Sequence, residues 1–285
     1  MTPLRKKMVD DMQLRRLSPS TQRAYTDAVS GLARFYHKTP DKINTTQIQA
    51  YLLHLMRERK LSWSSCNVVV NGLRFFYTRT LGWNSVRFNI PPCKNKKQLP
   101  EILSKEELER LFSAAVNLKH RVLLLTTYSA GLRVSEVVHL TLTDIDSKRM
   151  MIRIVQGKGN KDRYVNLSEK LVTELRQYWR SYRPENWLFT SCEGTKPMPV
   201  GTAQKIYYFT KNRAGIKKGK AIHTLRHCYA THLLESGVDL PTIQKLMGHD
   251  SIRTTMVYLQ VTSHKLSRTQ SPLDLLELPD RVPQT

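Results

Sequence analysis

Apolar residues recur at three- and four-residue intervals through the first third of the chain, the spacing of helices that bury one face. Ser18-Pro19 reads as an N-cap followed by proline in the first helical turn. Tyr25, Val29, Leu32 and Tyr36 then follow at helical intervals. A third helix is expected from near Asn44, where Gln47 is placed to close a capping box and Ile48, Tyr51, Leu52 and Leu55 form the apolar stripe. A fourth is expected from Ser62 to about Leu81. Residues 84–100 break the pattern with Pro91-Pro92, Pro100, Lys94, Lys96 and Lys97, and read as an extended basic linker. Such a segment serves equally as a soluble tether or as a strap across a phosphate backbone.

Beyond the linker, Ser104-Lys105-Glu106-Glu107 is a capping box that opens a helix running to about Val116. A buried-looking helix over 121–130 stops at Gly131, and a short helix follows Arg133. Residues 150–156 and 162–167 read as two strands around a turn at 157–161. Helices are expected at 168–182, 201–214, 223–236, 240–248 and 252–260. The class is therefore mainly α with a small antiparallel β-sheet, in two domains. The expected boundaries are 1–90 for a helical domain, 91–100 for the linker and 101–285 for the second domain, with a C-terminal tail from about 264. No repeat or low-complexity tract interrupts this order.

Charge adds a partner class. The 285 residues hold 46 Lys and Arg against 23 Asp and Glu, a formal net charge of +23. Residues 1–98 carry 18 basic and 5 acidic side chains, net +13, so the first third is the more basic part. A field of this sign attracts polyanions, with DNA phosphate foremost. Cys66, Cys93, Cys192 and Cys228 lack any Cys-x-x-Cys spacing, which argues against a zinc ribbon or a disulfide framework. No apolar run reaches the length of a membrane span, and charges interrupt the first residues where a secretory leader would be apolar. A cytoplasmic, nucleoid-associated location is the expectation, with no membrane partner.

The second domain carries the groups that metal-free phosphodiester transfer requires. These are a nucleophile, cations for the non-bridging oxygens, an acid for the leaving alkoxide and a base for the nucleophile. Arginine suits the oxygens because its planar fork matches phosphate. Arg133 follows the Gly131-Leu132 break, and Lys158 sits between Gly157 and Gly159 in the hairpin turn. His223 and Arg226 share a helix face, Gly248-His249 closes the next helix, and Tyr258 lies nine residues later. Taken singly, each has a plain structural reading: a surface arginine, a half-buried tyrosine, capping or core histidines. His223 and His227 at i, i+4 also fit a helix-face metal pair, to which His232 is the third candidate.

The ordered set resembles the tyrosine recombinase, or phage integrase, family. The residues that carry the resemblance are GLRVSE (131–136), GKGNKDR (157–163), HTLRH (223–227), LMGH (246–249) and Tyr258. GKGNKDR and LMGH look most like the Xer-like and integron-type branches. The resemblance covers about 100–262 closely and 1–90 loosely, as a SAM-like core-binding domain. It implies a C-shaped two-domain DNA clamp with a tyrosine recombinase catalytic domain. It also implies a site-specific recombinase that cleaves and rejoins strands through a 3′-phosphotyrosyl intermediate and a Holliday junction, with no cofactor, neither metal nor ATP. By the same resemblance Tyr258 is the nucleophile, Arg133 and Arg226 hold the phosphate with His249 assisting, and Lys158 is the acid. His223 is a base or positioning donor, and Glu136 supports Arg133. The implied partners are double-stranded DNA at specific recombination sites and three further copies in a homotetramer on paired sites. The chain departs from parts of the family. Residues 1–17 are too short for the arm domain of some phage integrases, and the helical insertion of integron integrases is missing. Two competing readings are a DNA-binding relative that has lost catalysis and a metalloenzyme built on His223, His227 and His232. The intact set argues against the first, and the lack of a nearby carboxylate at ligand spacing argues against the second.

Overall fold

Local capping sets the helix starts. Ser18 Oγ accepts a hydrogen bond from the Thr21 amide at 3.3 Å, and Asn44 and Gln47 close a reciprocal capping box at 2.9 and 3.2 Å. The computed structural model describes residues 2–84, 99–155 and 162–260. The chain divides into two compact units, Met1–Lys97 and Gln98–Thr285.

The first unit is helical: α1 (Pro3–Leu14), α2 (Pro19–Tyr36), α3 (Thr45–Arg57) and α4 (Trp63–Phe75), which runs on through a π-helical turn, Phe76–Thr80. Met8 and Met12 of α1 join Leu32, Ile48, Leu52, Leu73 and Phe76 in one core. Gly72 lets α2 and α4 approach closely, since a Cβ there would stand 3.1 Å from the Tyr25 Cα and the Ala28 Cβ.

The second unit begins with α5 (Lys105–Ala114), opened by the Ser104/Glu107 capping box, and α6 (Leu118–Ser129). The latter starts three residues before the expected 121, because the Asn117 side chain caps it through the His120 amide at 3.1 Å. The short α7 (Val134–Val138) leads to a three-stranded antiparallel sheet in the order β1 (Ile145–Asp146), β2 (Met151–Ile154), β3 (Arg163–Asn166). The two expected strands are present and paired antiparallel, over shorter spans than 150–156 and 162–167. The expected turn at 157–161 lies outside the described residues, and β1 is an addition too short for alternation to reveal. Helices α8 (Glu169–Tyr182), α9 (Val200–Arg213), α10 (His223–Glu235), α11 (Leu240–Met247) and α12 (Ile252–Thr255) follow, and a 3-10 turn, Met256–Gln260, ends the described chain. The class is mainly α with a small antiparallel sheet, as the sequence pattern predicts.

Two cores stabilise this unit by removing apolar area from water. The larger packs α5, α6, α8 and α9 against the sheet through Leu111, Leu123, Ile152, Val165, Leu175 and Ile206. A satellite core joins Tyr229, Ala230, Leu234, Ile243, Met247 and Tyr258, tying α10, α11 and the last turn together. Cys66, Cys192 and Cys228 are thiols and form no disulfide. No described helix is long and apolar enough to cross a membrane.

Candidate active site

Glu136 is the hub. Its carboxylate is 6% exposed and accepts hydrogen bonds from three directions. The Arg133 backbone N–H and Nη1 donate at 2.8 and 2.7 Å, and Arg163 Nη1 and Nη2 donate as a fork at 2.9 and 2.8 Å. Arg226 Nη1 lies 3.6 Å away. Burial alone would raise the Glu136 carboxyl, but the Arg163 and Arg133 contacts hold it down at about 2. One carboxylate thus sits among three guanidinium groups, which leaves a local positive excess suited to an anion.

Backbone carbonyls fix the aim of those arginines. Arg226, 1% exposed, donates from Nη1 to the Gly131 carbonyl at 2.6 Å and from Nη2 to the Met247 carbonyl. Arg133 Nη2 donates to the Gly248 carbonyl at 3.1 Å, and Arg163 Nε to the Leu246 carbonyl at 2.9 Å. The α6–α7 break and the end of α11 are therefore laced to the same cations. Gly131 has φ +58°, and a Cβ there would fall 2.2 Å from the Tyr229 ring, so only glycine fits this corner. Burial and the Arg133 charge bring the Arg226 guanidinium down to about 10, so it stays cationic at neutral pH.

The histidines line this cationic centre as neutral rings. Burial first, then His227, Arg226 and Arg133, lower His223 to about 4. Burial with Arg226 and Arg133 does the same to His249, whose Nδ1 hydrogen-bonds the buried Thr255 hydroxyl at 2.9 Å. Gly248, in the left-handed conformation at φ +59°, turns the chain from α11 into His249. Tyr258 is 3% exposed, and burial pushes its hydroxyl up to about 12, against the opposing pull of Arg226 and Arg133. Its ring lies nearly parallel to that of His249, 6.5 Å between centroids, and its hydroxyl meets His227 Nδ1 at 3.0 Å.

The fold thus brings together Arg133, Glu136, His223, Arg226, His249 and Tyr258 from four separate stretches of chain. Lys158 and its neighbour Lys161 lie outside the described residues, as do most of the linker and the tail from 264. The three histidines of the metal reading do not converge: His227 turns to Tyr258, and His232 Nδ1 pairs with the Tyr128 hydroxyl at 3.0 Å. Among the described residues no cluster of three or more His, Cys, Asp or Glu is arranged to hold a metal ion.

Residues 101–265 match the pattern described as the Phage integrase family, and residues 4–85 match the Phage integrase N-terminal SAM-like domain. The chain belongs to the phage integrase family of tyrosine recombinases. Among its relatives is y4qK of Sinorhizobium fredii, named as a candidate integrase/recombinase, 43% identical over 99% of this chain and 92% of that protein. Tyrosine recombinase XerA of Thermococcus kodakarensis is 36% identical over 91% of each chain. The fold is shared with a lambda integrase tetramer bound to a Holliday junction, with a TM-score of 0.73 at 17% identity over 89% of this chain and 75% of that one. The protein is accordingly an enzyme of site-specific DNA recombination.

Two residues of this recombinase carry more of the site than sequence reading assigns them. Arg163 closes the GKGNKDR segment without an expected role, yet it is the bidentate partner of Glu136. A signal existed: two-residue alternation puts Arg163 on the face of Val165, and register pairs it with the buried Ile154. An arginine aimed into a core implies a buried carboxylate to meet it. His227 is the other. Its sequence position fits a core or metal-ligating histidine, and no local pattern points it at Tyr258, 31 residues away.

Proposed function

We propose that this recombinase cleaves and rejoins double-stranded DNA at specific sites through a covalent bond to Tyr258. Tyr258 Oη attacks a backbone phosphorus, forming a 3′-phosphotyrosyl link and releasing a 5′-hydroxyl. The 5′-hydroxyl of a partner duplex then attacks that link and frees Tyr258, and one round of exchange produces a Holliday junction. The bond energy stays in the phosphotyrosine, so the scheme calls for neither ATP nor metal. Arg133 and Arg226 take the non-bridging oxygens, His249 assists them, His223 serves as base or positioning donor, and Lys158 protonates the leaving oxygen. Four copies act in pairs on two sites in the cytoplasm, at the nucleoid. Residues 1–90 form the core-binding domain, 91–100 the linker and 101–285 the catalytic domain with its tail.

The observation that carries this reading is the placement of a buried tyrosine hydroxyl in the same small cluster as two carbonyl-anchored arginines whose local charge exceeds that of their one carboxylate. The lambda integrase tetramer on a Holliday junction supports the assembly by shared fold. The test is a nicked suicide duplex with DNA binding followed in parallel. Wild type forms a covalent adduct, whereas Tyr258→Phe binds equally well and forms none; an adduct in that variant overturns the assignment.

A further inference from the structure

The hydroxyl of Tyr258 does not meet the histidine that the family resemblance offers as base. It meets His227, one turn further along α10, at 3.0 Å. We infer that His227 takes the phenolic proton of Tyr258 during strand cleavage. The inference rests on the reading of Tyr258 as nucleophile and adds the residue that activates it.

The geometry is specific. His227 lies between the other two groups, its ring meeting His223 edge to face at 4.6 Å and Tyr258 at 5.8 Å between centroids. A tyrosine hydroxyl raised by burial is protonated at neutral pH, so it donates and His227 Nδ1 accepts, with the ring proton on Nε2. Burial and the neighbouring Arg226 charge keep His227 neutral before reaction, which lets Nδ1 accept. Burial with the charges of Arg226 and Arg133 also holds His223 neutral, at about 4, but it is His227 that stands at hydrogen-bond distance from the Tyr258 hydroxyl.

The step balances. The Tyr258 Oη–P bond forms as the P–O5′ bond breaks. The phenolic proton passes to His227 Nδ1, and O5′ takes a proton from the acid of the proposed mechanism. On rejoining, the incoming 5′-hydroxyl returns a proton to that acid as its oxygen bonds phosphorus, and the imidazolium returns its proton to Tyr258 as the phenolate leaves. The hydroxyl needs this help because burial makes it harder to ionise than an ordinary phenol, while Arg226 and Arg133 offset only part of that cost.

His227→Asn provides the test, because the Asn amide oxygen stands where Nδ1 stands and accepts a hydrogen bond without accepting a proton. Cleavage of the suicide duplex by the full chain is expected to slow by about 10²-fold or more, with DNA affinity and melting temperature near wild type. 3,5-Difluorotyrosine at position 258 ionises more readily and depends less on a base. With it the gap between His227→Asn and the parent is expected to shrink to roughly tenfold or less.

A cleavage rate for His227→Asn within about threefold of wild type overturns the inference, as does a defect that fluorination leaves untouched, which marks a structural role. If His223→Asn is instead the variant that fluorination restores, the base is His223 and the inference falls. Should His227→Asn fail to fold, His227→Gln, which removes the base although its amide reaches the Nε2 position, is read against the parent through the same fluorotyrosine comparison. An adduct formed by Tyr258→Phe sinks the nucleophile assignment itself, an outcome separate from all of these.

Discussion

Arg163 grips Glu136 with both terminal nitrogens, at 2.9 and 2.8 Å, while Arg133 Nη1 holds the same carboxylate at 2.7 Å. The Arg163–Glu136 pair is buried, at 9% and 6% exposed. Since Arg163 also holds the Leu246 carbonyl, it links the sheet to the end of α11, next to the turn that presents His249. Removing Arg163 takes the fork from Glu136 and the donor from the Leu246 carbonyl, but Arg133 and Arg226 still compensate the carboxylate, so the cost falls below that of an unpaired buried charge, at about 2–3 kcal/mol. Arg163→Ala is therefore expected to lower the unfolding free energy by about that amount in denaturant titrations. Arg163→Lys keeps the charge and loses the fork, so it is expected to fold with a smaller loss and to cleave DNA more slowly than wild type. Full cleavage activity in Arg163→Lys would show that the fork does not position the site.

Acid stability should report the same carboxylate. Glu136 titrates near 2 in the folded protein against an ordinary value of 4.5. A depressed carboxyl contributes stability that is complete above its unfolded value and is lost as pH falls between those two values. Wild type is expected to lose a few kcal/mol from this group alone over that window, at about 1.4 kcal/mol for each pH unit between the two values. Glu136→Gln should be less stable at neutral pH, with a flatter decline below pH 5, as read by chemical denaturation at a series of pH values. Parallel acid limbs in the two proteins would contradict this.

Gly131 and Gly237 both have positive φ, at +58° and +95°, yet differ in surroundings. A Cβ at 131 falls 2.2 Å from the Tyr229 ring, whereas one at 237 meets nothing within 4 Å. Gly131→Ala is expected to cost about 3 kcal/mol or more, from strain plus a clash beneath the Arg226 anchor, and to impair cleavage. Gly237→Ala carries conformational strain alone, about 1 kcal/mol, and should leave cleavage intact. Thermal melts of the two variants check the difference.

Lys158 is expected to supply the proton to the leaving 5′-oxygen. Sulfur in place of that bridging oxygen gives a leaving thiolate that needs almost no acid. Lys158→Ala should be slow on normal DNA, by about 10²–10⁴-fold, and near wild type on the sulfur duplex. Lys161→Ala should show a modest binding defect on both. Rescue of Lys161→Ala by sulfur would transfer the role to that lysine.

Affinity for DNA should fall steeply with salt, with a slope of about −0.9 in log K against log salt for each phosphate neutralised. Residues 1–98 hold net +13, so their removal is expected to flatten the slope clearly, because the second unit keeps its own core. An unchanged slope would remove the helical unit from the DNA contact.

Much of this molecule was decided by short-range chemistry, and that part is legible in the sequence. Ser18, Asn44 and Ser104 cap the helices they announce, because a capping side chain needs only the amides two or three residues on. Alternation marks β2 and β3, and the order of Arg133, His223, Arg226, His249 and Tyr258 carries the resemblance to the family. Tertiary packing decided the rest. Arg133 reaches the Gly248 carbonyl across 115 positions, and Arg226 reaches Gly131 across 95. Arg163 became the counter-charge of Glu136, and His227 the partner of Tyr258, only when α10, α11 and the sheet closed on one another. Capping and periodicity act over a few residues, whereas a buried charge finds its partner wherever the folded chain places one. The elements and the cast of the site were therefore written locally, and the pairings within the site were settled by long-range burial.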